Sequence, residues 1–282
     1  MRALTANEYR RIMRSVFFLS DQTGITTESM GNALLTQFNE LSLRKELIPF
    51  VDTELKADTA IMKIQGRFIQ DGERPIILSS IVNPAIRDKF KLDCVCFIDF
   101  FETFMPELES ALEQKAVQAM GKSHGINDEI KYYRRIDAID FSLQNDDGAT
   151  VRNYDNADVI LVGVSRVGKT PTCLYLAVNY GIKAANYPFA EMDLKHDKLP
   201  KVLVPYHGKL FGLSINVDRL HQIRQNRIPN STYADVNTCR TEIAAAEHVM
   251  HEYGIPFLNS SEKSIEEIAS SIMQRIHLVR KF

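Results

Sequence analysis

One eight-residue segment has the residue types and spacing of a loop that binds phosphate. It reads Gly163-Val164-Ser165-Arg166-Val167-Gly168-Lys169-Thr170. In the pattern G-x-x-x-x-G-K-[ST], backbone N–H groups surround a polyphosphate, the lysine balances phosphate charge and the hydroxyl reaches Mg²⁺. We therefore predict that all eight residues bind a nucleotide, that Lys169 is also catalytic and that Thr170 is a metal ligand. The alternative is a glycine turn that carries a surface lysine.

A phosphate loop does not by itself transfer a phosphoryl group, because transfer also needs a carboxylate to hold a metal or orient the attacking hydroxyl. Asp146 and Asp147, which precede Gly148, are the predicted catalytic carboxylates. Asp-Asp-Gly is also a favourable turn sequence, so a purely structural role stays open. Asp99, which ends an apolar segment, and Asp218, which follows another, are weaker candidates for the same work.

Several other polar residues are candidates for a chemical role, but each also has a simpler structural explanation. Arg166 lies within the loop and Arg135 lies close to the acidic pair; arginine suits bidentate phosphate contacts, although exposed arginines are mostly solvated charges. His248 and His251 have helical spacing that permits metal binding, but no acid or cysteine completes a ligand set, which favours surface histidines.

The four cysteines do not indicate a disulfide framework in a chain of 282 residues. Cys94 and Cys96 alternate along an apolar segment and are predicted to share one face of a core strand. Cys173 is predicted to be a small buried side chain. Together with Cys239 they favour a cytosolic setting, where thiols stay reduced.

The phosphate loop needs a strand before it and a helix after it, and the flanking residues meet that requirement. Residues 158–162 predict a buried strand, and residues 172–180 predict a helix with Pro171 in its first turn. The second half also predicts strands at 184–189, 210–215 and 256–258, and helices at 218–224, 240–253 and 264–280.

The first half alternates strands and helices in the same way. Predicted strands are 16–20, 47–51, 75–80 and 94–100, and predicted helices are 28–38, 54–69, 84–90 and 105–120. This alternation predicts an α/β fold with mostly parallel sheets covered on both faces, without a visible sequence repeat. Residues 20–26 form a polar loop at the end of the first strand, where open α/β sheets place ligands, although a plain capped connection fits equally well.

The polar segment 121–149 interrupts the alternation and is predicted to be a seam between two α/β halves. We therefore predict an N-terminal α/β domain at 1–150 and a C-terminal P-loop nucleotide-binding domain at 151–282. Acidic residues outnumber basic ones in the first half and basic ones predominate slightly in the second. That excess suits anionic ligands but is too small to indicate nucleic acid.

Overall composition is that of a globular protein without membrane segments. Hydrophobic residues make up 45% of the chain and charged residues 25%, with a formal net charge of −2. No apolar run approaches the ~20 residues of a membrane helix, and residues 1–14 lack the apolar core of a signal peptide. The expected setting is cytoplasmic, with neither membrane nor nucleic acid as partner.

Five segments together resemble one protein family. They are GVSRVGKTPTCLYL at 163–176, AANYPF at 184–189, LFGLS at 210–214, RIDAIDFSLQNDDG at 135–148 and SDQTGIT at 20–26. In order and spacing they are similar to the phosphoenolpyruvate synthase and pyruvate phosphate dikinase regulatory proteins. The chain departs from the family at Asn145, where a histidine or another residue is common, and at Cys173, where serine or threonine is common. The first departure argues against a catalytic role for position 145.

The resemblance implies a bifunctional serine/threonine-protein kinase and phosphorylase. Such proteins use ADP to phosphorylate a threonine beside the catalytic histidine of the target, which inactivates it. They reverse this with inorganic phosphate, which attacks phosphothreonine and releases pyrophosphate. The overall likeness is closer to the regulators of phosphoenolpyruvate synthase, so its histidine-phosphorylated form is the expected protein substrate; the dikinase is the alternative target, and a homodimer stays open.

The residues accommodate this chemistry. The loop would hold ADP, Lys169 would balance its β-phosphate, Thr170 would bind Mg²⁺, and Asp146 or Asp147 would orient the target hydroxyl. Two rival functions are an ATP-dependent kinase for a small metabolite and a nucleotide-dependent binding switch. A guanine-nucleotide switch is disfavoured because the chain lacks an Asn/Thr-Lys-x-Asp motif.

Overall fold

The computed structural model describes residues 14–38, 42–117, 129–148, 151, 153–194 and 198–281. These residues belong to two units, which meet in the sequence between residues 125 and 126. The sequence-based boundary was placed at 150/151, and the described residues 129–148 belong to the second unit. Each unit is an α/β unit with its own parallel sheet.

The first unit is built on a central strand of continuous apolar residues. Strand β1 contains Val16, Phe17, Phe18 and Leu19, all at most 1% exposed, as expected for a strand covered on both faces. The elements of this unit are β1 (Arg14–Leu19), α1 (Ile25–Leu35), β2 (Leu43–Ile48), α2 (Glu54–Asp71), β3 (Ile76–Ser79), α3 (Pro84–Arg87), β4 (Cys96–Asp99) and α4 (Phe100–Leu112). The strands run parallel in the order β2-β1-β3-β4.

The second unit has the same arrangement around β5. Its elements are α5 (Glu129–Gln144), β5 (Val159–Gly163), α6 (Lys169–Tyr180), β6 (Ala184–Pro188), α7 (Glu191–Leu194), β7 (Leu210–Ser214), α8 (Val217–Arg227), α9 (Val236–Glu252), β8 (Phe257–Asn259) and α10 (Ile265–Arg275). The strands run parallel in the order β6-β5-β7-β8. The predicted α/β fold with parallel sheets is confirmed in both units.

The two sheets thus repeat one topology although no repeat is visible in the sequence. In each, the first strand is central, the second pairs on one side and the third on the other, which creates a switch point beside the first strand. The loops that follow the first strands end alike: Gly24 precedes α1 at φ +77°, and Gly168 precedes α6 at φ +96°. Only the second loop carries the lysine and the phosphate-binding pattern.

Two predicted segments differ from the structure, each for a physical reason. The predicted strand 47–51 is instead β2, whose Arg44, Lys45 and Glu46 mark it as a sheet edge that faces solvent. The helix predicted at 105–120 begins at Phe100, because the carboxylate of Asp99 caps it by accepting from the Glu102 N–H at 2.8 Å. Residues 118–120 of that prediction lie outside the described residues.

The division between the two units falls within the polar segment 121–149 that was predicted as a seam, but residues 129–144 of that segment form helix α5, which was not predicted. Its buried face carries Ala138, Phe141, Ser142 and then Asn145, which follow each other at helical spacing. Phe141 packs into the core of the second unit. The charged outer face of α5 concealed this narrow buried stripe, and residues 121–128 and 149 lie outside the described residues.

The described helices include none that is long and apolar enough to cross a membrane.

Candidate functional site

The loop from Gly163 to Thr170 lies between β5 and α6, in the strand–loop–helix setting that its pattern requires. Gly163 has φ +142°, and a Cβ at this position would collide with the carbonyl oxygen of Leu213 on the neighbouring strand. Gly168 begins α6 in a left-handed conformation, and no described side chain caps the helix there. The first N–H groups of α6, with the positive end of the helix dipole, are therefore disposed toward an anion.

Lys169 lies inside the curve of this loop. Its ammonium group donates to the carbonyl oxygens of Gly163 at 3.0 Å and Val164 at 2.9 Å, and the residue is 4% exposed. Burial lowers the pKa of Lys169 to about 8, against the opposing influence of the Asp147 and Asp146 carboxylates. A positive charge is thus held within the loop, close to both acids.

The hydroxyl of Thr170 joins the loop to the predicted acidic pair. It donates to Asp146 Oδ1 at 2.8 Å, and the side-chain amide of Asn186 also donates to that oxygen. The side-chain oxygen Oδ1 of Asn186 in turn accepts from the backbone N–H of Asp147 at 3.0 Å. The structure therefore brings Thr170, Asp146 and Asp147 together through one asparagine.

The acidic pair is positioned by the end of α5 and by β6. The Gly148 N–H donates to Asn186 O at 3.1 Å, and the Asn186 N–H donates to Asn145 O at 3.2 Å, so residues 145–148 follow the edge of β6. Asp147 and Gly148 are in the left-handed region, with φ +50° and +65°, so the chain makes a turn directly after the two aspartates. Asp146 is half-buried beside Thr170, whereas Asp147 is exposed.

Sequence reasoning missed Asn186 as a site residue. It stands in the buried strand β6 at 1% exposure, and a buried polar side chain requires hydrogen-bond partners. Its position within an otherwise apolar strand was the available signal, but the partners come from two other segments of the chain. We count it with the site because it contacts both Asp146 and the backbone of Asp147.

The remaining candidates lie apart from this cluster or play simpler roles. Asp99 belongs to the first unit, where it caps α4 and where burial raises the pKa of its carboxyl. Asp218 is exposed in the first turn of α8, and Arg166 is exposed within the loop at φ +78°. Arg135 is exposed on α5.

The histidine and cysteine predictions have mixed outcomes. His248 and His251 are exposed, as predicted, and the described residues include no group of three or more metal-binding side chains. All four cysteines are free, and Cys173 is buried as predicted. The prediction for Cys96 was wrong: it is exposed, because it lies on the same face of β4 as the 40% exposed Ile98, and that face is not covered by the described residues.

The donor set at the loop fits a diphosphate with Mg²⁺. A Cβ at Gly168 would meet no described atom within 4 Å, so a ligand has room to approach the backbone there. The N–H groups at the start of α6 and the Lys169 ammonium suit phosphate oxygens. The Thr170 hydroxyl and the Asp146 carboxylate are hard oxygen ligands of the kind that Mg²⁺ prefers.

The fold and the site together define an α/β protein in which a loop with the phosphate-binding sequence pattern lies at the switch point of a parallel sheet, with two carboxylates beside it. The chain belongs to the Kinase/pyrophosphorylase family, whose model matches residues 16–273. It is therefore a member of a family of phosphotransferases.

Curated relatives are similar over almost the whole chain. A protein of Laribacter hongkongensis is 53% identical over 270 residues, covering 95% of this chain and 98% of its own length. Proteins of Neisseria meningitidis (serogroup C, strain FAM18) and Legionella pneumophila (strain Corby) are 48% and 46% identical, cover 95% of this chain, and are themselves covered over 98% and 99%. All three carry the name "Putative phosphoenolpyruvate synthase regulatory protein".

Proposed function

We propose that this protein is a bifunctional regulator of phosphoenolpyruvate synthase. It transfers the β-phosphoryl group of ADP to a threonine of the histidine-phosphorylated synthase, which inactivates the synthase. It also removes that group with inorganic phosphate, which releases pyrophosphate and restores activity. The family description, which couples a kinase with a pyrophosphorylase, and the names of the relatives support this proposal. The observation that carries it is the hydrogen bond from Thr170 to Asp146, which joins the anion-binding loop to the acidic pair.

The loop residues Gly163 to Thr170 would bind the two phosphates of ADP. The first N–H groups of α6 would donate to phosphate oxygens, and Lys169 would turn from the carbonyl oxygens of Gly163 and Val164 toward the β-phosphate. Binding a dianionic group next to Lys169 would favour its charged form and oppose the effect of burial on its pKa.

Mg²⁺, when bound, supplies positive charge that stabilises the transferring phosphoryl group. Thr170 and Asp146 are the residues that would hold it, because their oxygens already lie 2.8 Å apart. Asn186 would keep the Asp146 carboxylate turned toward Thr170. The half-buried position of Asp146 fits a role beside the metal better than a role beside an incoming protein chain.

Asp147 would orient the target hydroxyl. It is exposed, and its backbone is fixed by the hydrogen bond to Asn186, so its carboxylate is accessible to a protein substrate. In the forward direction the threonine oxygen forms a bond to the β-phosphorus, the bond from that phosphorus to the bridging oxygen breaks, and AMP leaves. The hydroxyl proton passes to Asp147.

In the reverse direction inorganic phosphate would occupy the place of the β-phosphate in the same loop. A phosphate oxygen forms a bond to the phosphorus of phosphothreonine, and the bond from that phosphorus to the threonine oxygen breaks. Pyrophosphate leaves, and Asp147 passes the proton lost by the attacking hydrogen phosphate to the threonine oxygen. One loop thus serves both directions, with Lys169 facing the donor in one and the attacking phosphate in the other.

The proposal is tested by following labelled phosphorus. ADP labelled in the β-phosphate is incubated with this protein and with phosphoenolpyruvate synthase, either histidine-phosphorylated or not. We expect label on a synthase threonine, only with the histidine-phosphorylated form, and no transfer from γ-labelled ATP. Labelled inorganic phosphate and the threonine-phosphorylated synthase should then yield labelled pyrophosphate.

Two variants make the test specific to the loop. Lys169→Ala should abolish both directions, whereas Lys201→Ala, which removes an exposed lysine of the same unit, should abolish neither. Normal phosphorolysis in Lys169→Ala would contradict the single-site mechanism. Label transfer to pyruvate phosphate dikinase but not to the synthase would identify the alternative target, and transfer from ATP to a small metabolite would contradict the proposal.

A further inference from the structure

Arg224 is a completely buried arginine in the second unit. It lies on α8 and is 0% exposed. A buried guanidinium is strongly unfavourable unless it is paired and hydrogen-bonded. Its main partner is the Glu242 carboxylate of α9 at 2.6 Å, and its guanidinium also stacks 4.1 Å from the ring centre of Tyr233. It donates as well to the Tyr233 carbonyl oxygen at 3.0 Å.

This group reaches the phosphate loop at Ser165, and we name Arg224, Tyr233 and Glu242 the arginine clamp. Arg224 Nη2 donates to the carbonyl oxygen of Ser165 at 3.3 Å, and the Tyr233 hydroxyl lies 3.0 Å from Ser165 Oγ. The clamp residues that touch Ser165 lie 59 and 68 residues further along the chain. Ser165 is thus held through both its backbone and its side chain.

The residue after Ser165 explains why such support is needed. Arg166 has φ +78°, a left-handed conformation that is unfavourable for residues other than glycine. Strained conformations of this kind persist only where the surroundings impose them, and they concentrate at functional sites. Because the peptide bond is planar and trans, a Ser165 carbonyl that points to Arg224 turns the Arg166 N–H the opposite way, away from the clamp.

One donor of Arg224 is left without a partner. Its Nε is buried and has no hydrogen-bond partner among the described residues. Most buried donors in folded proteins have a partner, so a buried donor without one needs an explanation. The Nη groups of Arg224 donate to Ser165, Tyr233 and Glu242. The orientation that makes these bonds and holds the loop leaves Nε without a partner among the described residues.

We infer that the arginine clamp positions the phosphate loop, so that its backbone N–H groups are set for a phosphate before the ligand arrives. Arg224, Tyr233 and Glu242 are positioning residues, since they act through Ser165 and Arg166 and not on the ligand. This inference rests on the proposed function, in which residues 163–170 bind ADP and inorganic phosphate.

The test uses Tyr233→Phe, which removes only the hydroxyl that meets Ser165. Tyr180→Phe is its matched control, because Tyr180 contacts the Ser270 hydroxyl at 3.5 Å at the far end of α6. We measure the Kd for ADP by calorimetry on the full chain, together with KM, kcat and Tm. Tyr233→Phe should raise the Kd and KM for ADP by about five- to tenfold, the effect of one hydrogen bond, whereas Tyr180→Phe should not.

A merely structural role predicts a different pattern, in which Tm falls and the Kd of the folded protein for ADP does not change; that result would overturn the inference. Ser165→Ala supplies a second check, because it removes the same hydrogen bond. Its effect on ADP affinity should not add to that of Tyr233→Phe in the double variant. Additive effects would show that Tyr233 does not act through Ser165.

Arg224→Lys keeps the positive charge but lacks the planar guanidinium that bonds to Ser165, Tyr233 and Glu242 together. It should therefore weaken ADP binding more than Tyr233→Phe does. Arg227→Lys, on the exposed face of the same helix, is its control. Different experimental results would contradict the inference and the proposed function. Equal ADP affinity in wild type and Lys169→Ala would contradict the proposed function, whereas loss of affinity in Lys169→Ala with normal affinity in Tyr233→Phe and Arg224→Lys would contradict only the clamp.

Discussion

The hydroxyl of Thr170 donates a 2.8 Å hydrogen bond to Asp146, a residue that precedes it by 24 positions and lies beyond the end of α5. This bond joins the first turn of α6 to the acidic pair. A residue suited to bind Mg²⁺ and a carboxylate suited to bind the same ion are therefore adjacent in the folded chain. Asp147, the next residue, is exposed and lies close enough to influence the pKa of Lys169.

The two carboxylates should be separable by mutation. Asp146→Asn should raise the Mg²⁺ concentration needed for half-maximal activity, because it removes a charged oxygen beside Thr170. Asp147→Asn should lower kcat by about a hundredfold or more, in the range of a lost general base, with little change in KM for ADP. Steady-state kinetics over a Mg²⁺ series measures both, and each variant is the control for the other. Near-normal turnover in both, with the fold intact, would refute these roles.

Lys169 should make stability depend on pH in a defined window. Its pKa is about 8 in the folded protein and 10.5 ordinarily. Between these values the unfolded chain holds the proton that the folded protein has lost, so the free energy of unfolding rises with pH. Lys169→Met lacks this contribution. It should be more stable than wild type at pH 7, and the difference should shrink by about 3 kcal/mol toward pH 10.5.

Urea unfolding of both proteins at several pH values measures that difference. Other titrating groups are common to the two proteins and cancel. A stability difference that does not change between pH 7 and pH 10 would show that Lys169 is not buried as a cation. Wild-type affinity for ADP should also fall as the pH rises through about 8, because the neutral amine does not balance phosphate charge.

Asn186 should matter for both the fold and the turnover. Asn186→Ala leaves the Asp147 N–H without its acceptor and Asp146 without one donor, which should cost about 1–3 kcal/mol of stability and reduce kcat. Asn179→Ala, in which a side chain near the end of α6 loses a bond to Tyr175 O, is the control and should leave kcat unchanged. A kcat of Asn186→Ala equal to that of wild type would show that Asn186 has no role in the active site.

Gly163 should tolerate no side chain. Gly163→Ala places a Cβ against the Leu213 carbonyl oxygen at a φ of +142°, so we expect a loss of more than about 3 kcal/mol or a failure to fold. Gly208→Ala meets no described atom within 4 Å and should change stability by less than about 0.5 kcal/mol. Urea unfolding compares the two. Similar stability of both variants would mean that β7 does not approach β5 as closely as the structure has it.

Local sequence patterns were sufficient to predict most of the fold. The apolar run of β5, the glycines around the loop and the alternation of strands with helices were sufficient to predict parallel α/β units and the position of residues 163–170. Helix α5 was not predicted, because its buried face is narrow and its outer face is highly charged. The edge character of β2 and β4 also depended on strand order, which residue composition does not encode locally.

The sequence by itself determined the kind of fold and predicted the phosphate-binding pattern at 163–170 and the two candidate carboxylates, because each of these depends on residues that are neighbours along the chain. Only the tertiary structure decided three sets of hydrogen bonds. Thr170 bonds to Asp146, Asn186 bonds to both acids, and Arg224 and Tyr233 bond to Ser165. These contacts join residues that are 24 to 68 positions apart along the chain. Their pairing follows from sheet order and helix packing, which depend on the whole unit and not on any one segment.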